Sequence, residues 1–187
     1  MRKIEIKKSH ILCALAAAAF AWIATSCSGE PAFLGNWQSA APSDAARWFP
    51  GAANASSQQT FRFADNQSKD GGVFTYSSDY SVTESAEQHY NATASVSGSW
   101  TYDVDDDDDL LLTFDMKSLR MDLESPSSSD SIGMRMMENA RHRVEQAMMS
   151  EVGRYTVIED IEVSRDKSSM TFETKNPEEK HHFRKMQ

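Results

Sequence analysis

"ATASVSGSWTYDVDDDDDLLLTFDM", residues 92–116, decides how the rest of this chain is read. Before its acidic run, Ala92, Ala94, Val96, Trp100, Tyr102 and Val104 share one parity. Thr93, Ser95, Ser97, Ser99, Thr101 and Asp103 share the other. After the run, Leu110, Leu112, Phe114 and Met116 resume an apolar alternation. Successive side chains of a strand point to opposite faces, so period two over this length predicts two half-buried antiparallel strands. Neighbouring carboxylates repel one another and are not buried without cations. The aspartates at 105–109 are therefore expected to mark the solvated tip of the hairpin.

The same period extends outward. In "GGVFTYSSDYSVT" (71–83), Phe74, Tyr76, Tyr80 and Val82 share one face. Beyond the hairpin the apolar parity switches at Leu119, Met121 and Leu123, which predicts a β-bulge near Lys117 to Leu119. "RYTVIEDIEV" (154–163) places Tyr155, Val157, Ile161 and Val163 in phase, and "SSMTFET" and "KHHFRKM" follow as short strands. With "FLGNWQS" and "QTFRFAD" near the start, eight strands are predicted, most joined by short polar loops. Ser43 is expected to N-cap a single helical turn reaching Phe49, before Pro50 and Gly51 end it. The fold class is mainly β, an eight-stranded antiparallel up-and-down barrel.

One helix interrupts the meander at about 131–152. Met137, Ala140, Val144, Ala147 and Met148 form an apolar stripe at helical spacing, with Glu138, Arg141, Glu145 and Glu151 around it. Two readings stand: a helix packed across one end of the barrel, or a lid whose methionines line an adaptable apolar surface.

Residues 1–26 read as an export signal. Arg2, Lys3, Lys7 and Lys8 precede the apolar run "ILCALAAAAFAWIA" (11–24). That run is shorter than the about 20 residues of a membrane span. It ends in "ATSCSGE", which resembles the lipobox of bacterial lipoproteins, with small Ala24, Thr25 and Ser26 before Cys27. The resemblance implies cleavage before Cys27 and acylation of that residue with fatty acids such as palmitate. Each buried lipid CH₂ contributes about 0.8 kcal/mol, so several chains hold firmly. The family usually carries Leu three residues before the cysteine, where this chain has Ala24. Ala24 and Ser26 also fit ordinary secretory cleavage, which would release a soluble protein. The expected organisation is a signal at 1–26, a lipidated Cys27 with a tether to 32, and one barrel domain at 33–187. The expected location is the bacterial cell envelope, attached to the outer membrane.

Charge and cysteine count exclude several functions. The chain carries 19 basic and 28 acidic residues. Four of the basic and one of the acidic residues lie in the signal, leaving the remainder at −12. Nucleic acid is bound through phosphate neutralisation, so it is not an expected partner. Membrane contact is expected through the acyl chains alone. Cys13 lies in the signal, so Cys27 is the one mature cysteine, and no disulfide framework or thiolate metal cage forms within one chain.

Gly35-Asn36-Trp37 in the first predicted strand and Arg184 in the last resemble the lipocalin and calycin barrels, nearest to the lipocalin-like domains of bacterial lipoproteins. In those barrels a first-strand Trp closes one end and a last-strand Arg or Lys packs over it. The resemblance implies a structural cation–π role for Trp37 and Arg184, worth about 0.5–2 kcal/mol. This chain departs in placing its helix between predicted strands five and six, whereas lipocalins carry theirs after the last barrel strands.

Catalytic and metal spacings are missing. An EF-hand frame starting at Asp105 puts Leu110 at position six and Met116 at twelve; one starting at Asp103 puts Asp108 and Phe114 there. Neither is an EF-hand, which leaves only a loose calcium site at 105–109. His181 and His182 are adjacent in a strand and point to opposite faces, and no HxH or HExxH occurs. No cofactor and no enzymatic role are expected; a site at the barrel mouth using His89, His142 or an Asp/Glu pair has no spacing behind it. Asp130-Ser131-Ile132 resembles a short O-glycosylation acceptor.

The aromatic inner face remains. Phe74, Tyr76, Tyr80, Trp100, Tyr102 and Phe114 either fill the core or line a cavity for one small ligand. The expected function is a lipid-anchored, non-catalytic binding module for a small apolar or amphipathic molecule. The alternative is a structural or interaction protein of the envelope with a filled barrel and no small ligand.

Overall fold

Strands joined by short loops pair with their sequence neighbours, and here that pairing builds a single antiparallel sheet of nine strands. The computed structural model describes residues 31–68, 71–86, 88–103, 109–124 and 131–186. The chain divides into two units, Met1–Ala32 and Phe33–Gln187, and the sheet belongs to the second. The signal at 1–26, Cys27, residues 104–108 and the side chain of Ser131 lie outside what is described.

The strands are β1 (Gly35–Ser39), β2 (Ser43–Asp44), β3 (Asn54–Ser68), β4 (Gly71–Ser85), β5 (Gln88–Tyr102), β6 (Leu110–Glu124), β7 (Val157–Val163), β8 (Ser169–Lys175) and β9 (Glu178–Lys185). A 3₁₀ turn spans Ala46–Trp48, and the helix α1 spans Ser131–Val152. β1 pairs with both β3 and β9, so eight strands close into a ring, with β2 added on β3. The expected barrel with one inserted helix is the observed architecture.

Ser43 does not cap a helix: it lies in β2, and the Asp44 carboxylate instead accepts the Ala46 N–H at 2.8 Å. A short acidic side chain does this work where the turn is too tight for an α-helix. The β5–β6 hairpin forms as expected, with Tyr102 opposite Leu110 and Asp103 N–H donating to Asp109 at 3.0 Å. The bulge falls in β6, where Asp115 and Arg120 face Ser97 and Ser95. Ser118 Oγ accepts the Ser97 N–H at 2.8 Å and donates to the Asp115 carbonyl at 2.7 Å, satisfying groups the disrupted ladder would orphan.

β7 corrects the expected phase. Ile158, not Val157, is the fully buried residue. Asp160 takes a left-handed φ of 51°, and the register with β8 shifts between Glu159 and Glu162. That irregularity shifts the inward parity from Ile158 to Ile161 and Val163, while Tyr155 reaches the core from the turn before the strand.

The lower half of the barrel is filled with rings. Phe61 stacks on Phe63 at 5.3 Å, Phe74 meets Phe114 edge-on at 4.9 Å, and Phe33 meets Trp100 edge-on at 5.0 Å. Trp37 is wholly buried there, its Nε1 donating to the Phe33 carbonyl at 2.6 Å. Gly98 makes this packing possible, since a Cβ on it would lie 2.7 Å from the Phe74 ring and collide with the Thr113 carbonyl. The cation over Trp37 is Lys185, whose Nζ lies 5.4 Å from the ring centroid, and not Arg184. Parity is the reason: Phe183 points inward, so Lys185 shares its face and Arg184 turns outward.

The other end is covered by α1 and the 3₁₀ turn. Ala140, Val144, Ala147 and Met148 are buried as expected, and Met137 is half-buried. The helix lies against β5, β6 and the 3₁₀ turn. Arg143 ties it down by pairing with Glu84 of β4 and donating to the Pro50 carbonyl at 3.2 Å. Among the described residues, no helix is long and apolar enough to cross a membrane.

Candidate functional site

At this covered end lies a cleft of about 270 Å³. β2 and the 3₁₀ turn supply Ser43, Asp44, Arg47 and Trp48; β3 supplies Ser57 and Gln59. The end of α1 and the segment after it bring Glu151, Arg154 and Tyr155, and β9 brings Glu179 and His181. These residues come from four separated parts of the chain.

Glu151 anchors the arrangement. It is 1% exposed, in the last turn of α1. It projects inward because it continues the stripe of Val144, Ala147 and Met148 at helical spacing, which corrects its expected place on the polar face. Tyr80 donates to one carboxylate oxygen at 2.6 Å and Gln59 Nε2 to the other at 3.1 Å. Gln59 is itself held, donating to Ser57 Oγ at 2.8 Å and accepting from Ser43 Oγ at 3.2 Å. Burial first, then the field of Glu151, pushes the Tyr80 and Tyr76 phenols well above their usual range, so both stay protonated beside the carboxylate. Among the described residues, the Tyr76 hydroxyl and Ser78 Oγ are buried without hydrogen-bond partners.

Arg154 is 8% exposed and pairs through Nη2 with Glu179, and its buried Nε finds no partner among the described residues. His181 is half-buried between the Tyr155 and Phe172 rings, and burial pulls its pKa down to about 4. It is therefore a neutral imidazole near pH 7. Thr174 Oγ1 donates its single proton to the Pro177 carbonyl at 2.9 Å, so its 3.3 Å contact with His181 Nε2 is accepted from an Nε2–H. That tautomer leaves Nδ1 as a bare acceptor. Arg47 lies over the Trp48 ring at 4.5 Å on the cleft's outer lip.

No known family model matches this sequence, and no curated protein matches it. The site is thus read from its own chemistry.

The aromatic candidates divide between the two ends. Trp100 and Tyr102 are in edge contact at 5.7 Å near the acidic hairpin, Tyr102 half-buried. Phe74, Tyr76 and Phe114 meet one another in the middle of the barrel. Tyr80, against Phe49 and Glu151, and Tyr76, 5.3 Å from the Tyr155 ring, lie behind the cleft wall. His89, His142 and His182 are exposed and far apart in the sheet and helix, and His181 and His182 face opposite ways as expected. No group of three or more His, Cys, Asp or Glu that could hold a metal occurs among the described residues.

Glu151, Gln59, Arg154 and Arg47 were not singled out by sequence. Two signals pointed to Gln59 and Glu151, and none to Arg154 or Arg47. Ser57 and Gln59 share the parity of Phe61 and Phe63, so polar side chains occupy inward positions of β3. Glu151 falls on the apolar stripe of α1.

Proposed function

We propose that this protein is a lipid-anchored lipoprotein of the bacterial envelope whose barrel, similar to lipocalin-like domains, is a non-catalytic binding module. Its ligand is a small amphipathic molecule seated at the barrel mouth. The observation that carries this reading is the mouth cleft, walled by rigidly bonded polar groups and floored by Arg154 with a buried, unpaired nitrogen. Binding sites are concave and mix apolar walls with a few fixed polar groups, and pockets of this kind commonly sit at barrel mouths. Trp48 and Tyr155 supply the apolar component. The lipobox-like "ATSCSGE" supports the anchor.

Native mass spectrometry of the mature protein is expected to find a co-purifying small molecule, lost on Arg154→Met. Labelled palmitate is expected to enter the wild-type chain and not Cys27→Ser. A protein that is ligand-free from every source and unperturbed by amphiphiles would overturn the binding reading. The second reading, a structural protein with a filled barrel, draws on the close ring packing of the lower half.

A further inference from the structure

The cleft also bears on the class of ligand, and this step rests on the binding reading above. We propose that the mouth takes a neutral polyhydroxyl group, such as the sugar head of a glycoside, in preference to a charged head group. What the cleft lacks is hydrogen-bond partners, not counter-charges.

Its buried charges are already answered. Arg154 pairs with Glu179. Glu151 is bonded by Tyr80 and Gln59. Asp44 and Arg47 are exposed on the outer lip, where water screens them. An incoming anion meets Glu151, Glu179 and Asp44, and an incoming cation meets Arg154 and Arg47. To pair with a buried charge, either has to displace an existing partner inside a partly dry site, where leaving one charge unpaired is costly.

The unfilled capacity has both signs. Arg154 Nε–H is a donor without a partner, shielded from bulk water. His181 Nδ1, in the tautomer fixed by Thr174, is an acceptor. A hydroxyl donates and accepts at once, so neighbouring hydroxyls on one ring can answer both without bringing charge. The C–H faces of such a ring suit the wall formed by Trp48 and Tyr155. The volume of about 270 Å³ lies near the lower end of small-molecule pockets, about 300–1,000 Å³, and suits one ring-sized head.

The test uses four probes, three of them differing only in head group: octyl glucoside, octyl galactoside, octanoate and octylammonium, each below micelle-forming concentration. The full chain carries Cys27→Ser, so that no acyl chain competes. The Arg154 Nε–H resonance, assigned by its loss in Arg154→Lys, is followed by NMR. At least one glycoside is expected to shift it saturably, with both ions silent. Binding followed through the Trp48 indole is expected to weaken about tenfold or more in Arg154→Lys, as for a lost hydrogen bond to a charged group. Saturable binding of octanoate or octylammonium equal to or tighter than the glycosides, or glycoside binding indifferent to Arg154→Lys, overturns the polyhydroxyl class and leaves the binding reading standing. If none of the four probes moves the resonance, both fall together.

Discussion

Glu151 sits where a carboxylate is least welcome, at the negative end of a helix dipole and out of reach of water. It is tolerated because the sheet offers fixed neutral donors, and the shortest of these is the Tyr80 hydroxyl at 2.6 Å. Tyr80→Phe removes that donor and nothing else of size. A hydrogen bond to a charged group contributes about 1.5–3 kcal/mol, so the variant is expected to lose about 2 kcal/mol of stability. Urea unfolding checks this as a lower midpoint at unchanged slope. A midpoint equal to wild type would mean that the carboxylate finds another donor.

Among the elements, what could be read in the sequence was what repeats locally. β4 and β5 alternate over most of their length, β6 alternates on each side of its bulge, and α1 carries its stripe at the spacing 140, 144, 147 and 148, so these were plain. β3 runs longer than its apolar core because Ser57 and Gln59 are polar residues on inward positions, made acceptable only by partners on β2 and α1. β7 was misphased because Tyr155 belongs to the turn before the strand and the left-handed Asp160 then moves the inward parity from Ile158 to Ile161, and neither leaves a mark in the alternation. The cleft was hidden for a related reason: its parts lie on β2, β3, α1 and β9, and no short spacing unites them.

Gly98 shows how tightly two such elements are matched. Gly98→Val would drive side-chain atoms into the Phe74 ring and the Thr113 carbonyl across the β5–β6 pair. Overpacking of this kind costs about 1–3 kcal/mol, and the backbone contact argues for the upper end. The expected result is a lowered thermal midpoint with the cleft chemistry intact, checked by calorimetry beside ligand binding.

For the molecule as a whole, acid stability tests the burial of His181. Its pKa is about 4 when folded, against about 6.5 for an ordinary histidine. Between these values the unfolded chain holds more protons, so stability rises with pH across the window and falls on acidification from 6.5 towards 4. The wild type is expected to lose thermal stability over that range more steeply than His181→Gln. Relief of the net negative charge is common to both proteins and cancels in the comparison. Equal slopes would remove His181 from the account.

The double pairing of β1, with β3 on one side and β9 on the other, has a consequence in time. A chain leaves the ribosome N-terminus first, and local hairpins such as β3–β4 and β5–β6 need only their own loops to form. Ring closure needs both ends, so it waits for Glu178–Lys185, the last strand to be made. Until then two sheet edges stand open, each able to recruit a foreign strand. β9 thus decides whether a nearly complete sheet ends as a closed ring or as a template for aggregation.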